Sequence, residues 1–186
     1  NTTIASFLMQ AGMPGENMIM FDSRSGVHTK RNDLCNNPDK YRQWQLALKT
    51  NPKCVENIET ALTGADVLIA LSKPGPDTIQ QQWIKAMADK AIVFACANPV
   101  PEIYPYAAKD AGAFIVATGR GDFPNQVNNS LGFPGILKGA LMVRAKKITD
   151  KMAIRAAYSL AEYARKRGIS QENIIPNMEE VGVFPE

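Results

Sequence analysis

The sequence alternates between two kinds of segment, and this alternation restricts the fold more than any other feature. Four runs are almost wholly apolar and of strand length, at residues 17–21, 66–71, 91–96 and 113–116. Around them, apolar residues recur with the period of a helix in segments 2–11, 39–49, 55–63, 78–88, 105–111, 135–146 and 149–167. Strands without a polar face are typical of parallel sheets that helices cover on both faces. The pattern predicts a Rossmann-like, doubly wound α/β fold with a mostly parallel sheet and flanking helices.

Residues that favour helix ends divide the chain at the same places. Glycines are expected to end the helical segments 2–11, 55–63 and 149–167, at Gly12, Gly64 and Gly168. Thr149 is expected to cap the last long helix, and Asp77 or Thr78 the helix that follows the second apolar run. The connection 22–38 is long and polar, so it is predicted to be either a functional excursion or a flexible flap.

Composition excludes several classes of protein. The formal net charge is only +3, and the basic residues are spread in short clusters such as Lys30-Arg31, which are read as solvated faces rather than a nucleic-acid groove. No apolar run approaches the roughly 20 residues that span a bilayer. The chain has neither an initiator Met nor a signal peptide and both ends are abrupt, so we expect an excerpt of a longer protein, cut on both sides.

No catalytic or metal-binding set is recognisable. The three cysteines are odd in number and lack CxxC spacing, and with the single His28 they form no plausible metal site. A reducing compartment fits these cysteines. His28 itself is predicted to lie on the surface. No Ser-His-Asp set, paired metal carboxylates or activated lysine stands out.

The most polar motif follows the last apolar run. Residues 117–129 contain a guanidinium, a carboxylate, two glycines and several carboxamides, among them the adjacent Asn128 and Asn129. Ligands bind at the carboxyl ends of strands in open α/β sheets. Carboxamides that precede a helix can join its free N–H groups in holding a carboxylate. We therefore expect Asn128 and Asn129 to position a small polar substrate, while Arg120 and Asp122 pair and pin the loop.

Asp22 stands at the end of the first apolar run. In a dinucleotide-binding fold an acidic residue there accepts hydrogen bonds from the adenosine ribose, about 20 residues after a glycine-rich phosphate turn. Asn1 is at the right distance to be the last position of that turn, whose remainder would precede the chain. Asp22 favours NAD, whereas Arg24 leaves NADP open because an arginine here can hold a 2′-phosphate. An ordinary turn or cap role for Asp22 also stays open.

Two further strand ends offer candidate ligand contacts. Ser72 follows the second apolar run and leads into a Pro-Gly turn, where a flat cofactor could lie against the backbone; an ordinary loop is the alternative. Asn98 follows the third run, and Pro99 favours an extended exit that directs the carboxamide towards the presumed crevice. A carboxamide can hold a hydroxyl or a carboxylate without adding charge. Asn-Pro is also a common turn dipeptide, so a purely structural role stays open.

Four sequence motifs together resemble those of one family. They are Ala-Asn-Pro-Val-Pro-Glu-Ile at 97–103, Ile-Val-Ala-Thr-Gly-Arg at 115–120, Asp-Phe-Pro-Asn-Gln-Val-Asn-Asn at 122–129 and Gly-Phe-Pro-Gly at 132–135. The combination is similar to the NAD(P)-binding domain of malic enzyme of the bacterial short type. The likeness covers essentially the whole chain. It implies that 1–186 is one NAD(P)-binding domain, truncated at both ends, with its first strand and glycine turn missing.

The resemblance also implies a function. The family oxidises L-malate with NAD or NADP and decarboxylates the intermediate to pyruvate and CO2, using Mg2+ or Mn2+. By resemblance, malate would be bound by Asn98, Asn128 and Asn129. The cofactor would be bound by Asn1, Asp22, Arg24, Ser72 and Asn98. The family's catalytic tyrosine and lysine and its metal carboxylates precede this chain, so no catalytic residue or metal ligand is expected here and the piece alone is expected to be inactive.

The remaining expectations concern the parent protein. NAD is slightly preferred to NADP, the location is cytoplasmic, and the parent is expected to be a homodimer or larger, with malate as substrate and no nucleic-acid or membrane partner. Two alternatives stay open. One is the cofactor domain of another dehydrogenase, acting for example on an amino acid or a folate. The other is a non-catalytic nucleotide-binding module.

Overall fold

The computed structural model describes residues 2–177 and 180, and the chain divides into two compact units, Asn1–Ala65 and Asp66–Glu186. The first unit contains four helices, α1 (Thr2–Gln10), α2 (Asn32–Cys35), α3 (Tyr41–Ala47) and α4 (Ile58–Leu62). The second contains β1 (Val67–Ala70), α5 (Gln81–Lys85), β2 (Ile92–Ala95), α6 (Pro105–Asp110), β3 (Ile115–Thr118), α7 (Phe133–Met142) and α8 (Asp150–Arg167). Within the described ranges, none of these helices has the length and apolar character needed to cross a membrane.

The three strands form a parallel sheet in the order β1-β2-β3, with a helix in each connection. Ala70, Ala95 and Thr118 lie side by side at the ends of the three strands. The carboxyl ends therefore meet at one edge, as the sequence predicted for a Rossmann-like α/β fold. The α/β prediction is confirmed.

Burial alternates along β1 and β2. Leu68 and Ala70 of β1 and Val93 of β2 are buried, whereas Val67 and Ile69 are 46% and 37% exposed. The expectation that every strand is fully covered on both faces is wrong for β1, because one of its faces is exposed in this chain.

The segment 17–21, predicted as a strand, does not join the sheet: Asn17 ends a short 3-10 turn, and Met18 after it is extended. The carbonyl oxygens of Met18 and Met20 accept hydrogen bonds from the backbone N–H groups of Asn51 (2.9 Å) and Val27 (2.7 Å). Met18 packs with Ala5 of α1 and Leu46 of α3 in a small core. Met18 is thus buried against helices, and the backbone of the run is satisfied by loops of the first unit.

The polar connection 22–38 is folded rather than a flap. Its Val27 and Leu34 are buried together with Ala47 of α3. His28 is 1% exposed, so the prediction of a surface histidine is wrong. Its Nδ1 accepts a hydrogen bond from the Lys30 backbone N–H (3.2 Å), and its Nε2 lies 3.4 Å from a carboxylate oxygen of Glu56.

Predictions of helix ends are partly confirmed. Thr149 caps α8, since its hydroxyl oxygen accepts a hydrogen bond from the Met152 N–H (3.4 Å). Gly168 ends α8 with a φ of +100°, a conformation that L side chains rarely adopt. The prediction of a cap at Asp77 or Thr78 is wrong, because α5 begins only at Gln81 and its N-cap residue makes no side-chain cap bond.

Candidate functional site

A buried carboxylate organises the carboxyl edge of the sheet. Glu102 is fully buried, and its Oε1 accepts hydrogen bonds from the backbone N–H (2.7 Å) and the hydroxyl (3.2 Å) of Ser72. Its Oε2 accepts one from the Ala97 N–H (3.0 Å). Since Ser72 follows β1 and Ala97 follows β2, one side chain ties together the ends of two neighbouring strands. Sequence reasoning gave Glu102 no role, and its place directly after Asn-Pro-Val-Pro was the available signal.

The same carboxylate affects the nearby thiol. Burial and the negative charge of Glu102 raise the pKa of Cys96 to about 11. The thiol therefore stays protonated at neutral pH, and a protonated thiol is a poor nucleophile and metal ligand.

Asn98 lies against the end of β3. A Cβ atom added at Gly119 would come 2.8 Å from Nδ2 and 3.2 Å from Oδ1 of Asn98. Only glycine leaves room for the carboxamide at this distance. Asn98 is exposed, and within the described ranges its carboxamide makes no hydrogen bond. The Asn98 carboxamide therefore lies beside Gly119 with hydrogen-bonding capacity that the described residues do not use.

Arg120 pins the loop that follows β3. Its Nε and Nη2 donate to the two carboxylate oxygens of Asp122 at 2.7 and 2.6 Å. Its Nη1 donates to the carbonyl oxygen of Pro99 at 2.9 Å. The predicted pairing of Arg120 with Asp122 is confirmed, and it also joins the loop after β3 to the loop after β2.

The carboxamides of the polar motif have different roles. Asn125 is buried and structural, because its Nδ2 donates to the carbonyl oxygens of Val116 (3.1 Å) and Gln171 (2.7 Å). Asn128 caps a short 3-10 turn, since its Oδ1 accepts hydrogen bonds from the backbone N–H (3.0 Å) and hydroxyl (2.9 Å) of Ser130. Asn129 is exposed, and its carboxamide makes no hydrogen bond in the described part of the chain.

This motif begins beside the sheet. The backbone N–H of Val127 donates to the carbonyl oxygen of Thr118 at 2.7 Å, at the carboxyl end of β3. Asn128 and Asn129 therefore follow directly from the edge where Ser72 and Asn98 lie. The second unit brings these four predicted site residues to the ends of its three strands, and their ligand-binding roles stay predictions.

Asp22 belongs to the first unit and is held by an arginine. Its Oδ1 accepts hydrogen bonds from the backbone N–H groups of Arg24 (2.9 Å) and Ser25 (3.2 Å) and from Nη1 of Arg31 (2.8 Å). Burial alone would raise the pKa of Asp22, but these bonds and the Arg31 charge outweigh it and lower the pKa to about 2. In the described ranges no hydrogen bond reaches Oδ2, so a ligand hydroxyl could donate to it.

Arg31 was missed by sequence reasoning. It is only 7% exposed, so the interpretation of Lys30-Arg31 as a solvated face is wrong for this residue. Besides Asp22, it binds both carboxylate oxygens of Asp33, at 3.0 and 2.8 Å. Arg24 is 65% exposed and reaches Asp33 at 3.1 Å. Asn1, the remaining predicted cofactor residue, lies outside the described residues.

The family model for the malic enzyme NAD binding domain matches residues 3–184. The chain belongs to this family.

Among curated malic enzymes, the NADP-dependent enzyme of Halomonas elongata is 41% identical over 86% of this chain and 36% of its own length. The NAD-dependent enzyme of Geobacillus stearothermophilus is 39% identical over 92% of this chain and 34% of its own. The crystal structure of Entamoeba histolytica malic enzyme covers all of this chain, with 58% identity and a TM-score of 0.97, and 38% of that chain is covered. The Pyrococcus horikoshii malic enzyme structure covers 96% of this chain and 41% of its own, with 46% identity and a TM-score of 0.85.

The chain thus spans about a third of the length of these two curated malic enzymes. In the described part of the chain, no group of His, Cys, Asp and Glu residues could hold a metal ion. The residues at hand therefore do not fit the divalent metal that the resemblance to malic enzymes implies.

The ionised state of Asp22 gives a pH-dependent prediction. The pKa of Asp22 is about 2 in the folded protein, against an ordinary value of 3.8. Its carboxylate therefore stabilises the fold at a pH above 3.8, and this contribution is lost as the pH falls towards 2. We expect Asp22→Asn to weaken the dependence of unfolding free energy on pH between about pH 4 and pH 2. Hydrogen bonds from Arg31 and Lys40 hold the pKa of Asp33 well below its usual range. Asp33 will therefore keep part of the pH dependence of the unfolding free energy in this variant.

Urea unfolding followed by the fluorescence of Trp44 in a Trp83→Phe background measures this slope, because the chain has two tryptophans and Trp44 lies in the first unit. Asp110→Asn, at an exposed carboxylate of α6, is the control and should leave the slope as it is. An identical acid slope in Asp22→Asn and the unsubstituted protein would show that the bonds to Arg31 do not stabilise the folded state.

Proposed function

We propose that this chain is the NAD(P)-binding and malate-positioning domain of a longer malic enzyme, which oxidises L-malate and decarboxylates the intermediate to pyruvate and CO2. Membership of the family supports the proposal. The observation that carries it is the Asn98 carboxamide, which lies against Gly119 at the carboxyl edge of the sheet and has no partner in the described ranges. This edge is where folds of this class bind ligands.

In this proposal each residue binds or orients, and none transfers a proton. Oδ2 of Asp22 accepts hydrogen bonds from the adenosine ribose. Asn98 and Asn129 donate to the carboxylates of malate, so that the hydrogen on C2 faces the nicotinamide. The bound NAD or NADP supplies the hydride acceptor. The acid–base residues and the metal ligands lie in parts of the polypeptide outside this chain, so the chain alone has no turnover.

We further infer a preference for NAD over NADP. An ionised Asp22 would repel a 2′-phosphate, and its pKa of about 2 keeps it ionised at neutral pH. Arg24 is the cation that would attract this phosphate, but it is already bound to Asp33. Both NAD-dependent and NADP-dependent malic enzymes are found among the relatives.

The proposed setting of the full-length enzyme is the cytoplasm. Three free cysteines fit a reducing compartment. A net charge of +3 gives no reason to propose a nucleic-acid or membrane partner. From the resemblance to the family, we propose a homodimer or larger assembly.

Replacing Asn129 tests the substrate role. In the full-length enzyme, Asn129→Ala is expected to lower kcat/KM for malate by about 10- to 100-fold, because a hydrogen bond to a charged group contributes about 1.5–3 kcal/mol. The dissociation constant of NAD should change less than about twofold, since no charge or cofactor contact is removed. Steady-state kinetics and nucleotide titration measure the two quantities. An unchanged kcat/KM for malate would refute the role of Asn129.

Asn128 provides a matched comparison. Serine keeps the capping oxygen, so Asn128→Ser preserves the 3-10 turn that Asn129 begins. If the Asn128 amide nitrogen also binds malate, this variant will lose activity without losing stability. Formation of NAD(P)H with an amino acid or a folate but not with malate would favour another dehydrogenase. Nucleotide binding without any turnover would favour a non-catalytic module.

A further inference from the structure

Helix α7 is apolar in composition but has no buried residue. Of its ten residues, Phe133–Met142, only Lys138 is charged. Leu141 and Met142 are 78% and 74% exposed, and Phe133 is 55% exposed. A helix that is apolar all round normally lies inside a protein. In this chain, α7 is therefore exposed to solvent although its composition is that of a buried helix.

The exposed apolar side chains form a stripe along the helix. Phe133, Leu137 and Leu141 are spaced by four residues, which places them within about 80° of one another at 100° per residue. Val143 and Ile148, which follow the helix, are also exposed. We call Phe133, Leu137 and Leu141 the α7 stripe.

Two glycines lie on the other side of α7. Gly135 and Gly139 are separated from the α7 stripe by roughly half a turn of the helix. A Cβ added at either position would meet nothing within 4 Å, and neither glycine has a positive φ. Glycine within a helix is less stable than alanine, so glycine has no conformational or steric advantage at these sites in this chain. Glycine at both sites would allow another backbone to approach closely.

We propose that α7 is an interior helix of the full-length enzyme, covered on the α7 stripe and on the glycine side by the part of the polypeptide that supplies the acid–base and metal-binding residues. This inference rests on the proposed function. It adds a partner for the same site, because only residues 130–132 separate Asn129 from Phe133, the first residue of α7.

Two observations favour this partner over a second copy of the chain. The helix continues directly from the proposed malate loop, where the missing catalytic groups have to come. The chain spans 38% of the Entamoeba histolytica malic enzyme chain that it matches over its whole length, so chains of this family contain further polypeptide that could enclose α7.

Hydrogen–deuterium exchange of α7 tests the proposal directly. The backbone amides of α7 should exchange at least tenfold more slowly in the full-length enzyme than in the 186-residue chain, at every protein concentration. Equal exchange in the two proteins would overturn the proposal. Protection that appears in the 186-residue chain with rising concentration would overturn it in favour of a second copy.

Substitutions in α7 give a second measurement. Leu141→Lys should leave the Tm of the 186-residue chain unchanged and lower the Tm of the full-length enzyme. Gly139→Ala should raise the Tm of the chain, because alanine favours helix, and lower that of the full-length enzyme. Leu48→Lys, at a 53% exposed leucine of the first unit, is the matched control and should change neither. Leu141→Lys and Gly139→Ala without effect on the full-length Tm would refute close cover of α7.

Failure of this inference can be told apart from failure of the proposed function. Protection of α7 in a full-length protein that does not oxidise malate would refute the function and leave the interface in place. Oxidation of malate with α7 fully exchanging would refute the interface and leave the function in place.

Discussion

Replacement of Glu102 by alanine is expected to lower the unfolding free energy of the second unit by about 3 kcal/mol. The fully buried carboxylate accepts three hydrogen bonds, from the backbone N–H and hydroxyl of Ser72 and from the N–H of Ala97. Removing it leaves donors at the ends of β1 and β2 without an acceptor. A hydrogen bond to a charged group contributes about 1.5–3 kcal/mol, and an unsatisfied buried donor costs about 1–3 kcal/mol.

Urea unfolding followed by Trp83 fluorescence in a Trp44→Phe background measures this loss, since Trp83 lies in the second unit. Glu102→Gln keeps one acceptor oxygen and should lose less than the alanine variant. Glu162→Ala is the control, because Glu162 is 54% exposed and pairs with Lys166 across one helical turn. If Glu102→Ala unfolds at the same urea concentration as the control, Glu102 does not hold the strand ends together.

Gly26→Ala should destabilise the first unit by a similar amount, about 3 kcal/mol. A Cβ at this position would lie 1.9 Å from the carbonyl oxygen of Val55 and 3.0 Å from its carbonyl carbon. Those atoms are backbone, so a side-chain rotation cannot relieve the clash and the two segments must separate. The separation would move the loop between Gly26 and Phe21, which pair in an antiparallel bridge next to Asp22. Binding of NAD by the full-length enzyme should weaken as well.

The unfolding midpoint reported by Trp44 in the Trp83→Phe background checks the stability effect. Gly139→Ala in the same chain is the control, because no atom lies within 4 Å of the added Cβ and the backbone there has no positive φ. That variant should be neutral or up to about 1 kcal/mol more stable. A neutral Gly26→Ala would mean that the segments at Gly26 and Val55 do not approach as closely as the structure describes.

The sequence predicted features that depend on near neighbours in the chain. The apolar runs at 66–71, 91–96 and 113–116 became three parallel strands. Thr149 caps α8 through its hydroxyl, and Gly168 ends it because glycine readily adopts a positive φ. The similar run at 17–21 failed as a strand. A strand needs a neighbouring strand for its backbone, and here Asn51 and Val27 supply the hydrogen bonds instead.

Some features of the candidate site could likewise be predicted from the sequence, and others could not. The residue types and spacing around Asn98, Asn128 and Asn129 were sufficient for the family, which the match to residues 3–184 confirms. The structural role of the nearby Asn125 was not predictable, because its carboxamide is buried through a hydrogen bond to Gln171, 46 positions further along the chain.

By itself, the sequence determined the parallel α/β sheet, the family and the carboxamides at the strand ends, since these follow from local periodicity and residue type. The tertiary structure alone decided that Glu102, Arg31 and His28 are buried. The environment of a polar side chain depends on partners distant in sequence: Glu102 meets Ser72 across thirty positions, and His28 meets Glu56 across twenty-eight. Burial of such groups is stable only when those partners are in place, so local pattern cannot specify it.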